Sequence, residues 1–358
     1  DLVVLYERVG NTIHIGQPSD LSQLVSWLEA EPYTPQFTSQ PLKEKPHTFS
    51  QLVLNVTEAC NLACKYCIYS GVYEGERVNS VNGAMMSPAV AFKAVDLFAA
   101  YAKKGAGIGF YGGEPTLAFG LIKKVVDYVN ANYPQGNFVF GFTSNFVSVR
   151  PYLHYLVDND FRLVVSIDGP RAVHDKLRVA TGDKPTFNKV IRNIQALREI
   201  DPDYFRTHVG FSSVYASGED FREITSFFLQ NELFRDGHLI LGPVQQTLLK
   251  DSSLIGEMDT EAASMTFNKM VDLYVGNLLA GKLNPPLLRT YFDMDLWRVR
   301  NRSLAHMPAQ LPPGGTCYPT DRKLFVNTDG AFYICEKMGL RSPLGSVEQG
   351  VDFCIVPN

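Results

Sequence analysis

Residues 52–67 read Leu52-Val53-Leu54-Asn55-Val56-Thr57-Glu58-Ala59-Cys60-Asn61-Leu62-Ala63-Cys64-Lys65-Tyr66-Cys67, and this stretch decides the architecture. Residues 52–56 are a short, mostly apolar run of the kind that forms a strand. Three cysteines within eight residues follow at once. The strand signal then recurs at 108–111, 138–142, 163–167, 209–214 and 239–241. Amphipathic helical patterns at 88–103, 117–131, 149–157, 187–199 and 219–229 fall between. Short apolar strands alternating with helices build a parallel sheet. Six such units are fewer than the eight of a closed barrel, so the expected fold is α/β, a partial (β/α)6 TIM barrel over 48–250. Chemistry is expected at the C-terminal ends of its strands.

The flanks differ. Residues 1–47 form a small N-terminal α+β segment, with strand signals at 3–6 and 12–15, a helix capped by Asp20, and a linker over 31–47 holding four prolines. Residues 251–312 read as a helical connector, with helices at 260–279 and 287–302, and a Pro/Gly stretch at 308–315 leads into a cysteine-bearing tail over 313–358. The chain has 358 residues and is 45% hydrophobic, ample for a core. Its net charge of -4 gives no basic field for nucleic acid. No run of 18 apolar residues is present, so no membrane span is expected, and no signal peptide is expected either. The first residue is Asp1 rather than Met, which leaves a trimmed leader as an open reading.

The cysteines are Cys60, Cys64, Cys67, Cys317, Cys335 and Cys354. Clustering of the first three favours metal ligation in a reducing cytoplasm over disulfides. Three thiolates on one loop hold three irons of a cubane and leave the fourth iron open to an amino and a carboxylate group. The alternative, a structural zinc site, calls for a fourth protein ligand, and none lies nearby.

Cys60-x-x-x-Cys64-x-x-Cys67 after a first strand, with aromatic Tyr66 before the last cysteine, resembles the signature of the radical S-adenosylmethionine (SAM) superfamily. The resemblance runs from Leu52 to about Val244. It implies a [4Fe–4S] cluster on Cys60, Cys64 and Cys67, and SAM as cosubstrate. Gly112-Gly113-Glu114-Pro115 is similar to the family's GGEP turn, which holds the SAM amino group; the same residues also suit an ordinary strand-to-helix turn. Thr143-Ser144-Asn145 resembles the turn after the third strand, where Asn145 is either a SAM or substrate contact or a cap. Ser166-Ile167-Asp168-Gly169-Pro170 with His174-Asp175-Lys176-Leu177-Arg178 is similar to the family's SIDG…HDxxR segment. It implies Ser166 and Arg178 at the SAM carboxylate, where a guanidinium fits geometrically, and Asp168 as a ribose or substrate ligand or a turn acid. Tyr66 is expected near the adenine, or else in the core.

In the tail, residues 323–327 and 331–334 flank Asp329-Gly330, a tight-turn signal, and bring Cys317 and Cys335 toward each other. This resembles the opening of the SPASM or twitch extension of radical SAM peptide maturases and implies one or more auxiliary Fe–S clusters. The alternative is two unligated cysteines. The cysteine-rich run that normally follows is reduced to Cys354, in an apolar stretch. The resemblance implies a maturase that installs a thioether or carbon-centred crosslink in a ribosomally made precursor peptide, fed electrons by flavodoxin or ferredoxin. The alternatives are an anaerobic sulfatase-maturing enzyme, which converts Cys or Ser to formylglycine, and a non-catalytic Fe–S redox sensor or peptide-binding protein. Arg77 and the cluster-loop continuation Ile68-Tyr69-Ser70-Gly71 are weaker points of likeness. No catalytic acid or base is singled out.

Overall fold

The computed structural model describes residues 48–73, 82–235, 237–244, 250, 259–293, 322–336 and 343–352, with exposures at 296 and 297 and backbone alone at 3–7, 12–16, 36–37, 310–311 and in the rest of the helix ending at Asn301. Cys317, Cys354, Arg77 and the helix expected after Asp20 lie outside the described residues.

In chain order, β1 (Val3–Glu7) and β2 (Thr12–Gly16) form an antiparallel ribbon, and β3 (Gln36–Phe37) makes a two-residue parallel pairing with Gln310–Leu311. The barrel begins at β4 (Phe49–Thr57). It continues through α1 (Pro88–Tyr101), β5 (Ala102–Gly112), α2 (Phe119–Asn132), β6 (Val139–Ser144), α3 (Leu153–Asp158) and β7 (Arg162–Ser166). Next come α4 (Arg171–Leu177), α5 (Phe187–Ile200), α6 (Pro202–His208), β8 (Val209–Tyr215), α7 (Gly218–Gln230) and β9 (His238–Pro243). The chain goes on with α8 (Thr260–Leu279), α9 (Pro286–Asn301), β10 (Gln310–Leu311), β11 (Lys323–Val326), β12 (Phe332–Tyr333), β13 (Gly345–Ser346) and β14 (Gly350–Val351). Contacts group residues 1–45 with 291–316, and 46–290 with 317–357.

All six expected barrel strands are present, and β4 to β9 pair in parallel in that order. Helix starts follow their caps: the side chains of Ser87, Asp201, Ser217 and Asp259 each accept from a backbone N–H of the first turn. The helix-facing side of the strands is apolar and sealed. Leu52, Leu54, Val56, Ile108, Phe110, Leu163, Val165, Phe211 and Leu239 are at most 2% exposed. The opposite side alternates with it, position by position.

Several features exceed the sequence reading, among them the two-residue pairings β3–β10 and β13–β14. The seven-residue helices α4 and α6 were not expected; each is under two turns, too short for a periodic pattern to declare itself. The tail hairpin forms as expected, with Phe325 opposite Tyr333. In addition β11 pairs in parallel with β4, Leu324 beside Leu52, so the sheet runs β12-β11-β4-β5-β6-β7-β8-β9. Among the described residues no helix is long and apolar enough to cross a membrane.

Candidate active site

The loop after β4 carries the three cysteines and is held on two sides. On one side it zips antiparallel to the segment after α4: Ala63 N–H donates to Val179 O at 2.8 Å, Lys65 N–H to Leu177 O at 2.8 Å, and Leu62 bridges Ala180. On the other side it rests on the turn after β5, where Gly113 N–H donates to Thr57 O and Glu114 N–H to Ala59 O, both at 2.8 Å. Gly112 has φ 150°, and a Cβ there would run into the Thr57 carbonyl oxygen; one on Gly113 would run into that of Ala59. The glycines of this turn are therefore required by the cluster loop itself, in addition to the close backbone approach a ligand needs.

Glu114 is 1% exposed. Its Oε1 accepts from Thr116 N–H (3.1 Å), Thr116 Oγ1 (2.7 Å) and Ser144 Oγ (2.8 Å), and its Oε2 from Asn145 N–H (2.8 Å). The carboxylate thus staples the end of β5 to the end of β6. Burial pushes its pKa up, against the pull of these hydrogen bonds. Pro115 opens a single 3-10 turn and is buried. Asn145 faces the cluster loop: its Nδ2 donates to Asn61 Oδ1 at 2.7 Å, while its own Oδ1 accepts from Val147 N–H at 3.0 Å. Asn61 in turn donates to Ser148 Oγ at 2.9 Å.

The turn after β7 is built around charge. Asp168, 1% exposed, accepts from Arg178 Nε at 3.2 Å, from Val214 N–H at 3.0 Å and from the Tyr66 hydroxyl. Arg178 also donates to the Tyr66 hydroxyl and sits 5.4 Å from the centre of its ring. Tyr66, one residue before Cys67, thereby locks the cluster loop to the fourth strand, and burial raises its pKa well above the usual phenol value. His174 completes the turn. Its Nδ1 accepts from Asp168 N–H at 3.2 Å, and its Nε2 lies 3.0 Å from Thr186 Oγ1, which itself donates to Arg178 O at 2.7 Å. This chain fixes a neutral imidazole protonated on Nε2, and burial lowers the His174 pKa to about 4. Asp175 accepts from Thr186 and Phe187 N–H at 2.8 and 2.9 Å, seating the start of α5.

A cavity of about 650 Å³ opens at the C-terminal strand ends, and Cys60, Cys64, Cys67, Tyr66, Gly112, Gly113, Glu114, Asn145, Ser166 and Arg178 all line it. Pro115 and Asp168 are not among its lining residues. Cys335 follows β12, half-buried and in no disulfide. The adjacent Glu336 is tied to the cluster loop through its carbonyl oxygen, which accepts from Tyr69, and to β11 through Lys323 at 3.0 Å. Asn61, Ser144, His174, Asp175 and Thr186 help to build the site, and the sequence reading assigns none of them a role of its own. Three of them had a signal: His174 and Asp175 by their place between Asp168 and Arg178, and Ser144 by its place in the Thr143-Ser144-Asn145 turn.

The donor set suits an iron–sulfur cluster ligated on three sides. Three thiols of one loop face one cavity, and among the described residues no three His, Cys, Asp or Glu side chains are gathered for a single metal ion. Burial pushes the thiols up, to about 11 for Cys60 and about 12 for Cys64, so ligation must displace their protons. Across the cavity, Ser166 and the Arg178 guanidinium offer donors to a carboxylate.

Comparison with known proteins agrees. The family model described as the Radical SAM superfamily matches residues 54–225. The Cysteine-type anaerobic sulfatase-maturating enzyme of Clostridium novyi (strain NT) is 25% identical over 295 residues, 81% of this chain and 74% of that protein. Native anSMEcpe with bound AdoMet and Cp18Cys peptide superposes with a TM-score of 0.64 at 21% identity, over 84% of this chain and 78% of that one. Streptococcus suis SuiB bound to precursor peptide SuiA gives 0.53 at 13% identity, over 93% and 74%. The two structures speak for the shared fold, and with the matched motifs the conclusion is that residues 54–225 form a region of the radical SAM superfamily, whose members use a [4Fe–4S] cluster and S-adenosylmethionine.

Proposed function

We propose that the chain is a maturase that oxidises a residue within a peptide or protein. The observation that carries this reading is the single cavity where three thiols, the Gly112–Gly113 backbone, Ser166 and Arg178 converge at the strand ends. When bound there, the cluster and SAM supply a 5′-deoxyadenosyl radical that takes a hydrogen atom from the substrate. In this reading Cys60, Cys64 and Cys67 ligate the cluster. The Gly112–Glu114 backbone receives the SAM amino group, and Ser166 and Arg178 its carboxylate. Tyr66, Asp168 and Asn145 hold these groups in place. Cys335, with Cys317, is assigned to an auxiliary cluster, and flavodoxin or ferredoxin to electron delivery in a reducing cytoplasm.

Two outcomes on the substrate are in contention. One is a thioether or carbon-centred crosslink in a precursor peptide; the fold is shared with a protein holding precursor peptide SuiA. The other is formylglycine formation from Cys or Ser, favoured by the 25% identity to a sulfatase-maturating enzyme across 81% of the chain. A redox sensor would need no carboxylate grip at Ser166 and Arg178.

The test is anaerobic incubation of the reconstituted protein with SAM, a reductant and a twelve-residue peptide bearing one central cysteine, read by mass spectrometry. Loss of two hydrogens with loss of the alkylatable thiol indicates a thioether. Replacement of the thiol by a hydrazide-reactive aldehyde indicates formylglycine. No 5′-deoxyadenosine at all would overturn the enzyme reading. Cys64→Ala should abolish SAM cleavage, since two thiolates hold a cubane poorly.

A further inference from the structure

The end of the cluster loop carries three tyrosines, Tyr66, Tyr69 and Tyr73. Two of their hydroxyls have protein partners: Tyr66 donates to Asp168, and Tyr69 donates to the carbonyl oxygen of Glu336. The third does not. Tyr73 is 5% exposed, its hydroxyl oxygen is sealed from solvent, and it has no hydrogen-bond partner among the described residues. A phenol is seldom buried in that condition.

The course of the chain brings this ring behind the cysteines. Cys67 N–H donates to Cys64 O at 3.1 Å, and Cys67 O accepts from Ser70 N–H at 2.9 Å and from Ser70 Oγ at 2.7 Å. After these turns Gly71 has φ 82°, a left-handed conformation that glycine adopts without strain, and the chain doubles back. Lys250 pins the returning segment, its N–H donating to Val72 O and its Nζ to Gly71 O, both at 2.9 Å. Val72 lines the cavity and Tyr73, next along, does not, so the buried ring lies on the side of the loop away from the cavity.

The cysteine whose charge acts on this phenol is Cys67. Burial first, and then that charge, raise the Tyr73 pKa, so the hydroxyl stays protonated and remains a donor. A thiol is a weak acceptor, whereas a thiolate on iron carries negative charge and accepts strongly. Ligation deprotonates the cysteine. The partner that Tyr73 lacks beside a thiol therefore arises when Cys67 becomes a ligand.

We infer that Tyr73 is a positioning residue that acts through Cys67: on ligation its hydroxyl donates a hydrogen bond to the Cys67 sulfur from behind the loop. No proton changes hands. Such a bond favours the more negative, reduced state and raises the reduction potential, since hydrogen bonds to the sulfurs are among the levers that set it. The inference rests on the reading that Cys60, Cys64 and Cys67 hold a [4Fe–4S] cluster, and adds to that reading a tuning group outside the cavity.

The test uses the full chain, reconstituted anaerobically with iron and sulfide and titrated with dithionite while electron paramagnetic resonance follows the reduced cluster. Tyr73→Phe removes the hydroxyl alone. Tyr155→Phe is the control: that hydroxyl is also buried without a partner, but it belongs to α3, with Lys123 Nζ 4.7 Å from the ring centre. The expected result is a cluster about tenfold harder to reduce in Tyr73→Phe, a fall of about 59 mV for one electron, with the control at the wild-type potential. In heavy water the reduced wild-type cluster should also show one deuteron coupling that Tyr73→Phe lacks. Before reconstitution both variants should melt at or slightly above the wild-type temperature, since each loses an unpaired hydroxyl. Equal potentials in wild type and Tyr73→Phe overturn the inference, as does an equal shift in the control. A clear loss of stability in metal-free Tyr73→Phe overturns it too, because the hydroxyl would then have a partner without the cluster. A wild-type chain that binds no cluster sinks the cluster reading and the inference with it, whereas a cluster indifferent to Tyr73 sinks the inference alone.

Discussion

The turn after β5 and the turn after β7 each bury a carboxylate at 1% exposure, and each does so differently. Glu114 is surrounded by neutral donors: two backbone N–H groups and two hydroxyls. Asp168 faces a buried guanidinium and a phenol, with Arg178 10% exposed in its side chain. Neutral donors make a staple whose loss leaves unpaired dipoles. A buried ion pair makes a joint whose loss leaves an unpaired charge, and that is the costlier fault.

Breaking the charged joint should have the largest effect. Asp168→Ala strands Arg178 and is expected to cost about 3–5 kcal/mol, read as a drop in denaturation midpoint, with SAM binding lost alongside. A drop no larger than that of the Glu114 variant would erase the distinction between the turns. Glu114→Gln places an amide N–H₂ among donors and is expected to cost about 1–3 kcal/mol, with SAM cleavage weakened and the cluster retained. Asn145→Ala removes the link to Asn61 and should cost about 1 kcal/mol. Its signature is faster amide exchange in the cluster loop, and unaltered exchange there would show that the loop needs no support from β6.

The mildest test uses acid. His174 has a folded pKa of about 4 against an ordinary 6.5, so the unfolded chain binds the proton more readily. Its contribution to stability is complete above pH 6.5, declines as pH falls through that value, and levels off below about 4. Thermal melts between those limits should slope downward with acid, less steeply in His174→Gln. Equal slopes would show that the turn after β7 does not depend on a neutral imidazole.

Much of this was legible in the chain. The six strands declared themselves by apolar runs, and the candidate ligand cysteines stood out by a spacing that few other sites demand. What escaped has a physical reason. The pairing of β11 with β4 joins segments some 270 residues apart, and local periodicity carries no trace of it. The family motifs leave Glu114 and Asp168 as either ligand contacts or turn acids; the hydrogen bonds that hold them come from Tyr66, Ser144 and Val214 among others, which only the fold brings near. Asn61 offered no signal, since a polar residue between two cysteines is ordinary in a loop.

The junction of β11 with β4 also sets a timetable. The strand that delivers the cluster loop has β5 on one flank from early in synthesis, while its other flank waits for residues 323–326. Until the ribosome has released them, that flank is an open edge able to recruit another chain. Prematurely terminated products of this gene should therefore be sticky rather than merely inactive, and iron loading is best timed after release, when the tail has closed the edge beside the cysteines.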